Sequence, residues 1–363
     1  VEAAERIARD VLAPTAEATD RAPVVPAGHL EALAGAGLFG LLGPRAAGGS
    51  AAPAHVARQV YETLAGACGV TFFVWVQHHA PVRLLAGCAN AVLRDRWLGP
   101  LCRGDVLGGI AFAYLRRPGP PAVVGRRVAG GWVVEGEAPF VTSWGLARLF
   151  AVAARAGDDI VYFALDTDRT GPSVRASAPL ALAAMGASAT VRLHLDKLFV
   201  PDDQVISTEP FGHWIERDQE ASSRPHPAPF GVTATALRHL ARQFERTGQT
   251  AIATTTASLQ TQLDACRRRS YALLGETGSP GDRDGGAGID RDERLARLVD
   301  ARAEALHLAL RAAAALVAAT GGSALDLSCP AQRLLREAGF WSIQAQTGPV
   351  REATLARLVR QGR

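Results

Sequence analysis

The feature that most constrains this chain is a β-patterned stretch, residues 106–203, set between two long stretches of helical periodicity. Short strands cannot bury themselves singly, so that stretch must close into a small domain, and each helical flank must find a core of its own. The expected fold class is therefore α+β and multidomain: a helical domain over 1–105, a β-domain over 106–203 and a helical bundle over 204–363. Within the first part, Ile7, Val11 and Leu12 repeat at helical spacing, and 26–38 and 54–66 read as amphipathic helices separated by a turn at Gly48 and Gly49. Residues 70–86 are apolar almost all round, which marks a helix buried on several sides.

The β-patterned stretch predicts strands at 106–114, 126–128, 132–137, 149–155, 159–165, 174–177 and 190–198, with Gly130-Gly131 as a tight hairpin turn. Val200-Pro201-Asp202-Asp203 closes it and begins the return to helix. Helices are then expected over 229–244, 250–274, 290–319 and 330–361, enough for a four-helix bundle. Between the second and third, 275–292 is rich in glycine, proline and aspartate and reads as a mobile surface loop.

Charge narrows the function classes. The net charge is +4, Lys197 is the sole lysine, and the arginines are scattered among acids along the helices, which is not the pattern of a nucleic-acid stripe. Residues 1–20 show no apolar leader core and no apolar run reaches the length of a membrane span, so a cytoplasmic protein is expected. The five cysteines are odd in number and lack CxxC spacing, which points to buried free thiols rather than a metal site or a disulfide framework.

Particular residues then bring in a family. Gly130-Gly131-Trp132-Val133-Val134-Glu135-Gly136-Glu137, followed by Phe140-Val141-Thr142-Ser143, resembles the acyl-CoA dehydrogenase pattern in which a hairpin leads into a flavin-contacting segment. Leu195-Asp196-Lys197-Leu198-Phe199-Val200-Pro201 resembles the strand that ends that family's β-domain. Gly321-Gly322 and Ala331-Gln332-Arg333-Leu334-Leu335-Arg336-Glu337-Ala338 resemble its glycine pair and arginine-rich helix start. The likeness spans essentially the whole chain. It implies FAD between the β-domain and the C-terminal helices, with cofactor contacts from Phe140, Thr142, Ser143, Arg116 and Thr347. It also implies a homodimer or homotetramer assembled through the C-terminal helices, where 301–319 is apolar around its circumference.

In that family a glutamate takes the substrate α-proton while the flavin takes a hydride. The glutamate precedes a glycine-threonine pair, and here the stretch is Ile343-Gln344-Ala345-Gln346-Thr347-Gly348, so Ala345 stands at the base position. Alanine cannot take a proton. Some members carry the base on an earlier helix, which by resemblance falls near Ala221, with Glu220 beside it as a relocated base or as a solvated acid in a polar loop. The phosphate-contacting segment expected after Phe112 reads instead Ala113-Tyr114-Leu115-Arg116-Arg117-Pro118-Gly119, in which Arg116-Arg117 supply charge. His78 and His79 lie in the apolar segment 70–86 as an acid or base, or as core histidines; Trp75 and Trp144 are candidates to line a substrate pocket.

Three functions follow as expectations. The first is a flavin-dependent oxidoreductase acting on an acyl thioester or related small molecule, within a specialised biosynthetic pathway. A missing base also suits a flavin monooxygenase of the same fold, which needs reduced flavin and oxygen rather than an α-proton acceptor. The second is a flavin-free enzyme performing an elimination or cyclisation with His78, His79 or Glu220 as acid or base, and the third an inactive partner subunit.

Overall fold

The computed structural model describes residues 1–276 and 290–359. Helical periodicity becomes helix through the first hundred residues: α1 (Glu2–Ile7), a π turn (Ala8–Leu12), α2 (Ala13–Asp20), α3 (Ala27–Gly35), α4 (Ala54–Ala67), α5 (Gly69–Ala86) and α6 (Ala91–Arg103). The π turn sits just before Pro14, which has no N–H to bond back along the helix, so the preceding turn widens. In α5, Phe72, Val74, Trp75, Val82 and Leu85 are all buried, as its continuous apolar sequence requires.

The β-patterned stretch forms one eight-stranded sheet: β1 (Gly108–Ala111), β2 (Val123–Val128), β3 (Gly131–Val141), β4 (Leu149–Ala156), β5 (Asp159–Asp166), β6 (Val174–Ala176), β7 (Val191–Pro201) and β8 (Val205–Pro210). Their order is β6-β7-β3-β2-β4-β5-β8, with β1 beside β4. β4 and β5 are buried along almost their whole length, which explains runs such as Ile160-Val161-Tyr162-Phe163-Ala164 that do not alternate.

Three expectations need correction. The strand expected over 106–114 stops at Ala111, because the chain turns at Ala113–Arg116. The hairpin turn is Ala129-Gly130 rather than Gly130-Gly131, since Gly131 already pairs with Val128. Beyond Asp203 the chain does not return to helix but adds β8, an edge strand paired with β5, and the sheet runs on to Pro210.

β3 and β7 pair with two register breaks, between Val134 and Gly136 and between Ala138 and Val141. The second break is a bulge that contains Phe140 at φ +57°, and it turns that ring outward to 55% exposure in a strand otherwise partly interior. The first needs Gly136 at φ +133°, where an added Cβ would lie 2.1 Å from the Ala122 carbonyl oxygen.

The C-terminal part holds six helices among the described residues: α7 (Phe211–Ser223), α8 (Ala228–Thr247), α9 (Thr250–Glu276), α10 (Arg291–Thr320), α11 (Pro330–Trp341) and α12 (Gly348–Val359). The expected four-helix pattern is present as α8, α9, α10 and a last segment that breaks in two. The break falls at 342–347, ahead of Pro349, which has no N–H to bond back to residue 345 and so sits in the first turn of a new helix. α7 replaces the polar loop expected around Glu220. The loop expected over 275–292 lies largely outside the described residues. By composition and length α10 is apolar enough to cross a membrane; α8, α9, α11 and α12 pack against it, and a third (33%) of its apolar window is buried in the chain.

Contacts divide the chain into two units, Val1–Leu64 with Val70–Glu216, and Ala65–Gly69 with Arg217–Arg363. All five cysteines are free, and all but Cys329 are buried.

Candidate functional site

In the first unit the candidate residues gather on the turn that follows β3. After the bulge at Phe140, Thr142 and Ser143 are buried, and Ser143 takes φ +70°. The turn is fastened to the segment before β7: the Ser143 N–H donates to the Ser188 carbonyl (2.9 Å) and the Trp144 N–H to the Ala189 carbonyl (3.1 Å). A chain of buried hydroxyls runs alongside, Thr142 Oγ1 to Thr190 Oγ1 at 3.0 Å and on to Ser188 Oγ at 2.7 Å. The Ser143 hydroxyl is buried and has no hydrogen-bond partner. Trp144 rests its ring on Phe150, centroids 5.4 Å apart. The Arg117 guanidinium lies 5.9 Å from the centre of the outward Phe140 ring, and Arg116 ends the short turn that follows β1. Phe140, Thr142, Ser143 and Trp144 all lie on this turn; the sequence did not point to Ser188 and Thr190, which complete the hydroxyl chain from a different segment.

The histidines of α5 are interior. His78 Nδ1 accepts the Gly108 N–H at 2.9 Å, which places the ring proton on Nε2, and the ring packs against Phe39 at 4.7 Å. Burial drives its pKa down to about 4, against the opposing pull of the Phe39 and Leu101 carbonyls. His79 is pushed well below its ordinary value by burial and by the nearby His78 and Arg83. Its ring stacks on Tyr61 and meets the buried Trp75 edge-on at 4.5 Å. Both rings are therefore neutral core groups near pH 7, and Trp75 is part of the same packing.

In the second unit, Glu220 lies on α7 and is 29% exposed. It accepts from Arg224 at 3.0 Å and Arg294 at 3.1 Å. Partial burial raises its pKa, but the hydrogen bonds and charges of the two arginines outweigh that and hold it below the ordinary glutamate value. A carboxylate held in this way is a weak base and a good tether between α7 and α10. Glu220→Gln is accordingly expected to cost about 1 kcal/mol or less in stability and to leave turnover unchanged within about twofold; a loss of turnover without loss of fold would restore Glu220 as a base.

Ala345 sits in the 342–347 turn with φ +48°, and Thr347 precedes α12 with its hydroxyl buried and without a hydrogen-bond partner. What the sequence did not single out is Arg302, on α10. Its guanidinium is buried and donates to the Ser222 carbonyl near the end of α7 and to the Gln344 carbonyl in the turn. His226 stacks on Trp341 in the same unit, centroids 5.2 Å apart, and its pKa is lowered by burial and by the charge of Arg302. The available signal was its spacing, since Arg302 falls in line with Leu295, Leu298, Val299, Leu306 and Ala309 on the buried face of α10, where an arginine needs partners. Among the described residues no group of three or more His, Cys, Asp or Glu is placed to hold a metal.

Comparison with known proteins places this architecture. Residues 1–105 match the family model for the acyl-CoA dehydrogenase N-terminal domain. A 208-residue stretch, 56% of the chain, is 28% identical to the benzylmalonyl-CoA dehydrogenase of Aromatoleum aromaticum, and the match spans about half (55%) of that protein. Butyryl-CoA dehydrogenase from Megasphaera elsdenii superposes with a TM-score of 0.78 at 18% identity, over 99% of this chain and 97% of its own. PigA, solved with FAD and proline, superposes at 0.81 and 17% identity, over 98% and 96%. The fold is thus shared from end to end with these proteins, and residues 1–105 match the N-terminal domain of the acyl-CoA dehydrogenase family.

Proposed function

We propose that the chain is a flavin-dependent oxidoreductase that acts on an acyl thioester or related small molecule without a carboxylate base at position 345. The observation that carries this reading is where the backbone is strained. Among the described residues seven non-glycine residues take positive φ: Ala51, Phe140, Ser143, Met185, Ala189, Lys197 and Ala345. Four of them, Phe140, Ser143, Met185 and Ala189, belong to the turn after β3 and the segment hydrogen-bonded to it. Each such residue costs about 1–3 kcal/mol and persists where the surroundings over-determine it, most often at a functional site.

The residues present fit a flavin. Phe140 offers an exposed aromatic face, Arg116 and Arg117 offer charge suited to phosphate, and the buried Ser143 hydroxyl lacks a partner. Phe140, Arg116 and Arg117 would hold the cofactor, while Thr142, Ser188 and Thr190 fix the turn that presents it. Bound there, FAD supplies a two-electron acceptor for a substrate hydride. The named relatives act on acyl-CoA compounds, and PigA binds FAD beside proline, so a thioester and a smaller amine-bearing substrate both suit the fold. Exposed Leu355, Leu358 and Val359 on α12 are consistent with a homodimer or homotetramer. The flavin-free alternative gains nothing from His78 and His79, which are neutral core groups, or from Glu220, which two arginines already hold.

The test is to purify the protein, record its absorption spectrum, and identify any chromophore released on heating. An oxidised-flavin spectrum with FAD released supports the reading. A colourless protein that also fails to take up added FAD would sink it.

A further inference from the structure

We infer that Asp166 is a positioning residue of the turn after β3: through Arg148 it holds the end on which that turn passes into β4. The inference rests on the reading proposed above, which assigns this turn to the flavin.

The entry of the turn is fastened to the segment before β7, and its exit has fastenings of its own. The N–H groups of Leu146 and Ala147 donate to the Ser143 carbonyl at 3.0 and 2.8 Å. Arg148, the last residue before β4, donates its N–H to the Leu107 carbonyl at 3.1 Å, and its own carbonyl accepts the Thr167 N–H at 2.9 Å. Its side chain then meets Asp166, the last residue of β5, which pairs across the sheet with Leu149.

The Asp166 side chain is 5% exposed. One carboxylate oxygen accepts Arg148 Nε at 3.2 Å and the Asp168 N–H at 3.3 Å; the other accepts Arg96 Nη2, from α6, at 2.8 Å and has Arg169 Nε at 3.7 Å. Arg96 and Arg148 both lie over the ring of Trp97, 4.7 and 5.4 Å from its centre. A carboxylate stays charged in an interior only where it is paired and hydrogen-bonded, and here the pairing joins α6, the end of β5 and the residue on which the turn ends.

Loss of that charge falls unequally on the fold. Arg96, Arg148 and Arg169 are all partly exposed, so each guanidinium can turn to water rather than stay buried without a partner. The global cost is therefore limited, whereas the turn loses the contact that ties its exit to α6. Asp168, 2.9 Å from Arg148 Nε, does not replace that contact, because the short turn that carries it is itself capped by Asp166. A segment that contacts a cofactor keeps its geometry only as far as its supporting contacts are rigid.

Hydrogen exchange tests this on the purified full chain, in the wild type, Asp166→Asn, Arg148→Met, their double variant and Arg96→Met. The amides of Leu146, Ala147 and Arg148 should exchange at least about tenfold faster in each of the first two variants, with no further gain in the double and none in α5. Arg96→Met cuts the other arm of the carboxylate and should leave the turn within about threefold of the wild type. An unchanged turn in Asp166→Asn, additive effects in the double, or an equal effect of Arg96→Met would each overturn the role assigned to Asp166. Should Asp166→Asn not fold, Arg148→Met against Arg96→Met carries the same comparison. Titration with FAD adds a reading that general support of the fold would not move: binding about tenfold weaker in Asp166→Asn and Arg148→Met and unchanged in Arg96→Met. Equal FAD affinity in every variant would overturn the link to the cofactor. Failure of the flavin reading appears separately, as a wild-type protein that takes up no FAD, and the exchange comparison then still decides whether Asp166 holds the turn.

Discussion

Truncating Glu337 to alanine is expected to lower the stability of the protein by about 3–5 kcal/mol, read as a fall in the urea midpoint with an unchanged slope. Glu337 and Arg333 are one helical turn apart on α11, both side chains are 3% exposed, and Arg333 Nη1 reaches the carboxylate at 2.9 and 3.1 Å. The same carboxylate accepts the N–H of Gly69, the first residue of α5, at 3.1 Å. Removing it would therefore leave a guanidinium and a backbone donor in the interior with a lost partner each, and the desolvation already suffered by both would no longer be offset. Gly69 is part of the arrangement, since a Cβ there would fall 2.5 Å from the carboxyl carbon. Replacing both members, Arg333→Met with Glu337→Leu, should cost much less than Glu337→Ala, because no charge is then left buried and unpaired. A single-variant cost of about 1 kcal/mol or less would mean that water reaches this pair.

What the sequence disclosed and what it hid follow from the range of the interactions involved. β4 and β5 could be read because strands buried on both faces are continuous apolar runs, and α5 because its apolar residues occupy every face. β8 was missed because an edge strand such as Val205-Ile206-Ser207-Thr208-Glu209 is short and half polar, and only pairing with β5 makes it a strand. The bulge that turns out Phe140 depends on the register of β3 against β7, fifty residues on, so nothing local announces it. The break between α11 and α12 was missed, because the helix expected over 330–361 was carried straight through Gly348-Pro349 although that pair interrupts the helical pattern. For the candidate site, the residues singled out from the sequence lie on the turn after β3 and at Ala345 in the 342–347 turn. It could not show that Glu220 is doubly tethered or that Arg302 faces two carbonyls, because a helix sequence gives the spacing of side chains but not which neighbour each face meets.

Acid should destabilise the protein well before its carboxylates protonate, and His78→Asn should remove a defined share of that loss. His78 titrates at about 4 in the folded protein because it is buried, against 6.5 for the ordinary group. Above the unfolded value neither state binds the proton. As pH falls below it, the unfolded chain takes up a proton that the folded one refuses, so stability present above about pH 6.5 is lost progressively down to about pH 4. Between about pH 7.5 and about pH 5 this single group should account for about 2 kcal/mol. His79, His226, His29 and His307 are all lowered by burial and act with the same sign, so the wild-type loss is larger than the share of His78. The lowered carboxylates Asp10, Asp202 and Glu220 give up their contributions only at lower pH, which leaves this window to the histidines. Asparagine keeps an acceptor near the Gly108 N–H but does not titrate, so the comparison is between pH profiles rather than absolute stabilities. Urea unfolding of both proteins at the two pH values measures it. A variant as acid-sensitive as the wild type would mean that the His78 imidazole is already protonated inside the fold, and that its bond to Gly108 is not the one that sets its charge.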